Sequence, residues 1–215
     1  MTDTPDPIDR TLTKDEQQRL QPDEVVTLLF EGNARFVSGD VTSRDHRAQV
    51  RAAVKGQWPK AVILSCVDSR VPVEDVFDCG IGDLFVARVA GNIVNVDMLG
   101  SLEFACAVAG AKIIMVLGHE YCGAIKGAID KVELGNLTAL LNIISPAIDE
   151  VEDHDGVRVA SNPAFVHRVA EQNVLRSVRR IREESPILRT LEESGQIRII
   201  GCMYDLDTSV VELLT

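Results

Sequence analysis

Four short runs of Val, Ile, Leu and Ala, separated by longer stretches of helical periodicity, constrain this chain more than any other feature. They are Ala61–Ser65, Leu84–Val89, Lys112–Leu117 and Ile197–Cys202. Each is short, rich in apolar residues and bounded by turn residues or helix signals, the pattern of a buried strand. Between them lie helical patterns over Met98–Ala109, Ala124–Val132, Leu137–Val151 and Pro163–Glu184, with a short addition at Leu188–Glu193. Strand and helix in alternation predict an α/β fold with a mostly parallel β-sheet flanked by helices.

The segment before the first strand is different. Gln21-Pro22-Asp23-Glu24 opens an amphipathic helix to about Val37, because proline and acidic residues suit a first turn. A further helix is predicted from about Ser43 to Lys55, so residues 14–55 form an N-terminal helical arm. Residues 1–13 are polar, carry two prolines and lack periodicity, which predicts a mobile arm. No internal repeat, low-complexity block or linker divides the chain, and residues 1–215 are expected to form one domain. The acidic run Glu150–Gly156 reads as a solvated connection.

Composition narrows the function classes. Lys and Arg total 22 against 33 Asp and Glu, a formal charge of −11. Such a surface argues against nucleic acid as a partner, because phosphate binding needs a basic face. It argues equally against adsorption to anionic membranes. No stretch reaches the roughly 20 apolar residues of a membrane span, and the N-terminus lacks the basic head and apolar core of a secretory signal. The five cysteines, Cys66, Cys79, Cys106, Cys122 and Cys202, are an odd and sparse set. Reduced thiols fit better than a disulfide framework and point to the cytoplasm. Cys79, Cys106 and Cys202 read as small buried hydrophobes or free thiols, and His46, His154 and His167 as surface histidines.

The chemistry gathers at two strand ends. Cys66-Val67-Asp68-Ser69-Arg70 follows the first strand, and Gly118-His119-Glu120-Tyr121-Cys122-Gly123 follows the third. Ligand sites in open parallel sheets form outside the carboxyl ends of strands. Two thiols and an imidazole are a normal zinc set, and three protein ligands leave the fourth tetrahedral position open, as a catalytic site requires. Taken singly the motifs say less. A lone buried Cys is more often core than ligand, and Asp68 with Arg70 is equally an ion pair or a turn. Their combination is what carries specificity.

That combination, CxDSR followed by HxxC about fifty residues on, resembles the β-carbonic anhydrases. Val71-Pro72-Val73-Glu74, Phe77-Asp78, Gly80-Ile81-Gly82-Asp83 and Arg88-Val89-Ala90-Gly91-Asn92 are similar to that family's sequence between the zinc motifs, and Gly135-Asn136-Leu137 and Ser185-Pro186-Ile187-Leu188 continue the likeness. The resemblance covers roughly residues 22–212. It implies zinc held by Cys66, His119 and Cys122, and reversible hydration of carbon dioxide to bicarbonate and a proton. Zinc would lower the pKa of bound water from about 15.7 to near 7 and so make hydroxide available at neutral pH. Asp68 and Arg70 match the family's catalytic dyad. Arg70 would hold the Asp68 carboxylate away from the metal, and Asp68 would orient the nucleophile. If the pair broke, Asp68 would become a fourth zinc ligand and close the site.

Further implications follow the same resemblance. Gln57, nine residues before Cys66, matches a glutamine that hydrogen-bonds substrate, against a plain surface reading. Phe85 matches an apolar pocket position for carbon dioxide, against a plain core reading, and Phe104 is a weaker candidate of that kind. Such pockets are completed by a second subunit, which implies a homodimer or homotetramer. A second bicarbonate site in the family's regulated branch uses a Trp, an Arg and a Tyr. Arg88 and Tyr204 match two of these, but the Trp position is Ile63, and Trp58 lies elsewhere. Strong bicarbonate inhibition through that site is therefore not expected. The competing readings are a hydrolase of carbonyl sulfide or carbon disulfide on the same zinc, a non-catalytic bicarbonate-binding protein, and a redox protein using Cys66 and Cys122. Ser69 weighs against the first, the intact Asp68 and Arg70 against the second, and the lack of a CxxC motif against the third.

Overall fold

The computed structural model describes residues 7–152 and 156–215. Three N-terminal helices, α1 (Lys14–Arg19), α2 (Pro22–Ser38) and α3 (His46–Ala53), precede strand β1 (Ala61–Ser65). Helix α4 (Val73–Val76), β2 (Leu84–Arg88), α5 (Val96–Glu103) and β3 (Ile113–His119) follow. Helices α6 (Gly123–Ile129), α7 (Gly135–Asp149), α8 (Pro163–Glu184) and α9 (Pro186–Glu193) then lead to β4 (Arg198–Tyr204) and β5 (Val211–Leu213). Among the described residues no helix is long and apolar enough to cross a membrane.

The strands form one sheet in the order β2-β1-β3-β4-β5, parallel except for β5. From β1 the chain crosses to one side to make β2 and returns past β1 to make β3. The sheet therefore reverses its direction of growth between β1 and β3, and a crevice opens at their carboxyl ends. Strand β3 is buried along its whole length, as a strand paired on both edges and covered on both faces must be. Val62, Leu64, Ile114 and Val116 face a core shared with Phe165, Val169 and Val174 of α8. Ala61, Ile63, Ile113 and Met115 face a second core with Val25 and Leu29 of α2.

Sequence periodicity locates the elements but misses features that tertiary packing creates. Strands β3 and β4 run two residues beyond their apolar runs, because Gly118 pairs with Met203 and His119 with Tyr204. The three-residue β5 returns antiparallel on β4 through a turn in which Asp205 Oδ1 accepts from the amides of Asp207 and Thr208. It is too short to show alternation. Helix α5 starts at Val96, capped by the Asn95 side chain on the Met98 amide, and ends in a π-turn over Phe104–Val108.

Two expectations are corrected. Over residues 8–13 the chain is not a free arm: the Ile8 amide donates to Ser43 O at 2.9 Å and Ile8 O accepts from Asp45 at 3.0 Å. Thr13 and Glu16 form a capping box on α1, and Gln17 donates to Pro59 O and Ala109 O. Polar composition there serves backbone pairing and capping. Residues 1–6 lie outside the described residues. The acidic connection after α7 is also not wholly solvated. Glu150 accepts from Gln172, Arg176 and Arg179 of α8, while residues 153–155, including His154, lie outside the described residues.

Candidate metal centre

Cys66 is the first residue past β1 and His119 is the last of β3. The chain then turns back through Tyr121, whose φ of 54° is left-handed, and Cys122 caps α6. All three side chains thereby reach the crevice where the sheet reverses. Cys66 Sγ and Cys122 Sγ stand 3.9 Å apart, and one donor atom from each of Cys66, His119 and Cys122 lies within 4.8 Å of the others. All three residues are buried.

The donor set fits zinc. Two thiolates at about 2.3 Å from a tetrahedral zinc are about 3.8 Å apart, close to the observed separation. The imidazole is already oriented for ligation: His119 Nδ1 lies 2.8 Å from Glu120 O, to which it donates. That bond leaves Nε2 as the lone-pair nitrogen, and Nε2 is buried with no hydrogen-bond partner. A buried acceptor left without a donor costs about 1–3 kcal/mol unless something occupies it. The thiols act as a pair. A hydrogen bond from Cys122 pulls the Cys66 thiol well below its ordinary range, and the same bond with burial pushes Cys122 up. A cation that binds both resolves this by replacing the shared proton. A second cluster, Glu120, Asp205 and Asp207, is only partly buried, and its carboxylates already accept from Tyr121 and backbone amides or face His167.

Three groups surround the donors. The Gly91 amide donates to Cys66 Sγ at 3.3 Å. Asp68 takes a two-pronged grip from Arg70, Nε to Oδ1 at 2.9 Å and Nη2 to Oδ2 at 2.7 Å, and its Oδ1 accepts from the Arg70 amide at 3.0 Å. Arg70 holds the Asp68 carboxyl well below the usual carboxylate range. Asp68 Oδ2 is 3.9 Å from His119 Nε2, so a carboxylate turned toward Arg70 still borders the donor set. Arg88 donates to Cys66 O at 2.8 Å and to Asp68 O, bracing the loop after β1.

The carbonic anhydrase family profile matches residues 61–211, more than half the chain and all of this site. The chain belongs to the β-carbonic anhydrase family. It is 35% identical over 183 residues to carbonic anhydrase 2 of Mycobacterium tuberculosis, covering 83% of this chain and 86% of that one. It is 33% identical over 194 residues to a carbonic anhydrase of Mycolicibacterium smegmatis, covering 86% and 89%. Among solved structures, a tetrameric β-carbonic anhydrase of Sordaria macrospora shares the fold at a TM-score of 0.67, with 24% identity over 77% of this chain and 85% of that one.

Beside these relatives, the structure separates the candidate residues into two groups. Cys66, Asp68, Arg70, His119 and Cys122 come together at the carboxyl end of the sheet. Gln57 does not: it is exposed and precedes β1, so the whole strand separates it from Cys66. Phe85, on β2, pairs in register with Val62 of β1, and its ring meets that of Phe104 edge-on at 6.0 Å. Both line a cleft of about 670 Å³ at the β2 edge of the sheet, whose lining does not include Cys66. Ile63 is fully buried core, and the Arg88 guanidinium is engaged by backbone carbonyls. Burial pushes the thiols of Cys79, Cys106 and Cys202 up to about 11, 12 and 12, which suits inert packing. Gly91, Arg88's brace on Cys66 and the His119 tautomer were not legible as such, since each depends on a backbone group whose position no side-chain motif encodes.

Proposed function

We propose that the protein is a zinc-dependent carbonic anhydrase, a lyase that reversibly hydrates carbon dioxide to bicarbonate and a proton, with Cys66, His119 and Cys122 as the metal ligands. The observation that carries this is the convergence of two thiols with an imidazole whose buried Nε2 has no partner. Zinc, when bound, supplies an acidified water and hence a nucleophile at neutral pH. The chain's own residues do the rest. Asp68 stays ionised because Arg70 grips both its oxygens, and as an acceptor beside the donor set it orients the attacking water. Arg70 in the same grip keeps Asp68 from collapsing onto His119. Burial of the ligands excludes competing water from the thiolates.

The substrate pocket is proposed to need a second copy of the chain. Gln57 lies at the far end of β1 and Phe85 faces a cleft on the edge strand, so neither reaches Cys66 of its own chain. Strand β2 is apolar yet half-exposed, and Val96 and Phe104 beside it are 79% and 50% exposed. An uncovered apolar edge of this kind suits burial in a homodimer or homotetramer. All five cysteines are free, which supports a cytoplasmic location.

The test is stopped-flow carbon dioxide hydration by zinc-quantified protein across about pH 6.5 to 9, a range bracketing a zinc-water pKa near 7, beside Cys122→Ser. Activity with one zinc per chain, lost together with the zinc in Cys122→Ser, is the expected result. One zinc per chain with no hydration at any pH would overturn the proposal and make carbonyl sulfide and carbon disulfide the next substrates to assay.

A further inference from the structure

Helix α8 lies across β3 and β4 and sends three polar side chains from one face to the loop after β2. Asn173 Nδ2 donates to Gly91 O at 2.8 Å, Ser177 Oγ to Asn92 O at 3.3 Å, and Arg180 Nη1 to Val94 O at 2.9 Å. Asn173 and Ser177 are buried. The spacing 173, 177, 180 is that of one helix face. A buried polar side chain among apolar neighbours costs free energy unless it is paired, so this row is placed to hold those carbonyls.

The loop needs holding. Gly91 has φ +68° and Asn92 φ +41°, two consecutive residues in the left-handed region. The positive φ strains any side chain at Gly91, and a β-carbon there would sit 2.6 Å from Ile144 Cδ1 and 3.3 Å from Ala124 Cβ, so glycine suits this backbone. Its amide is the one that donates to Cys66 Sγ. The Gly91 amide and carbonyl belong to two peptide units hinged at one α-carbon that has no side chain to stiffen it. With the carbonyl unclamped, that peptide unit keeps only the bond from the Asn92 amide to Val89 O at 2.9 Å, and the Gly91 amide is aimed less firmly at the sulfur.

We propose that Asn173 is a positioning residue for the metal centre: by clamping the Gly91 carbonyl it aims the Gly91 amide at Cys66 Sγ, and so tunes this thiolate's hold on zinc. Hydrogen bonds to a thiolate draw off negative charge and fix the direction of its lone pairs, and such outer partners matter by about ten- to hundredfold in metal affinity. The inference deepens the zinc reading and rests on Cys66 being a ligand.

The experiment uses full-length protein and the metals alone. Zinc affinity is read by competition with a chromophoric chelator. The sulfur-to-cobalt charge-transfer band of the cobalt-substituted protein reports the two thiolate bonds, Cys66 and Cys122, together, and a change at either sulfur shifts it. Asn173→Leu, of similar volume, is expected to weaken zinc binding about tenfold and to shift that band. Asn173→Ser, whose hydroxyl can satisfy itself on its own helix, gives the same reading should the leucine variant not fold. Arg180→Met removes an equivalent α8-to-carbonyl bond three residues further along the loop, and is expected to lower stability without moving affinity or band. Unchanged affinity and band in a folded Asn173 variant would overturn the proposal, as would equal weakening in Arg180→Met. Failure of the unaltered protein to bind zinc or cobalt would overturn the metal centre itself, and this inference with it.

Discussion

Gly118 stands directly before His119, a proposed metal ligand, and α8 approaches the sheet there with no room to spare. A β-carbon at Gly118 would lie 2.5 Å from Val174 Cγ2 and 2.6 Å from Met203 Sδ. Ordinary carbon contacts begin near about 3.5 Å, so Gly118→Ala demands a shift of roughly 1 Å by comparison with that contact distance. Met203 has rotatable bonds to spare. Val174 does not, because a β-branched side chain on a helix has essentially one rotamer. Its other methyl is already seated over Gly201, where a β-carbon would be 2.8 Å away. Helix α8 must therefore back off. Overpacking of this sort costs about 1–3 kcal/mol, and at about 2–4 °C per kcal/mol for a chain of this size the melting temperature should fall by roughly 2–12 °C. Val174→Ala alone removes buried methyl groups and costs about 2 kcal/mol. In the double variant the new methyl enters the space the old ones left, so the two losses do not add. Urea unfolding of the four proteins, zinc-loaded and followed by far-UV circular dichroism, is expected to give a coupling energy of about 1–2 kcal/mol. Additivity within about 0.5 kcal/mol would refute the reasoning, since it would mean that α8 does not seat on Gly118 through Val174.

Three other outcomes are expected. Arg70→Leu, which removes both charge-assisted bonds to Asp68, should lower kcat/KM by about tenfold or more, since the bonds are worth about 1.5 kcal/mol each before solvent screening; zinc content unchanged with kcat/KM also unchanged would count against the dyad. Bicarbonate inhibition should be hyperbolic and indifferent to Tyr204→Phe, because Ile63 is sealed in the core and Arg88 is held by carbonyls; a sigmoidal curve that Tyr204→Phe abolishes would contradict this. Asp78 is buried, which raises its pKa, but bonds from Arg44, Thr42 and Arg35 outweigh burial and bring it from 3.8 down to about 2. A folded pKa below the unfolded one adds stability above about pH 4 that is lost as pH falls toward 2, so the gap in unfolding free energy between the unaltered protein and Asp78→Asn should be constant above about pH 5 and narrow by about 2 kcal/mol on acidification; a gap that stays constant to pH 2.5 or so would show that Asp78 is not the titrating group.

The amino-acid sequence by itself determined the kinds of element, because strand and helix periodicity is local. Ala61–Ser65 and Pro163–Glu184 read off the chain with the bounds the structure shows. It also determined the donor types, since two thiols and an imidazole at strand ends are legible as a spacing. Only the tertiary structure decided that the ends of β1 and β3 are neighbours at the point where the sheet reverses, because strand order depends on which faces pack and not on any single run of residues. The same holds for the Gly91 amide on Cys66, the Asn173 clamp on Gly91 and the His119 tautomer set by Glu120 O. Each is a bond to a backbone group, and backbone groups are the same at every residue, so their placement is written only in the packing. Gln57 shows the converse. Its spacing from Cys66 matches the family pattern, yet five residues of extended β1 carry it to the end of the sheet opposite Cys66.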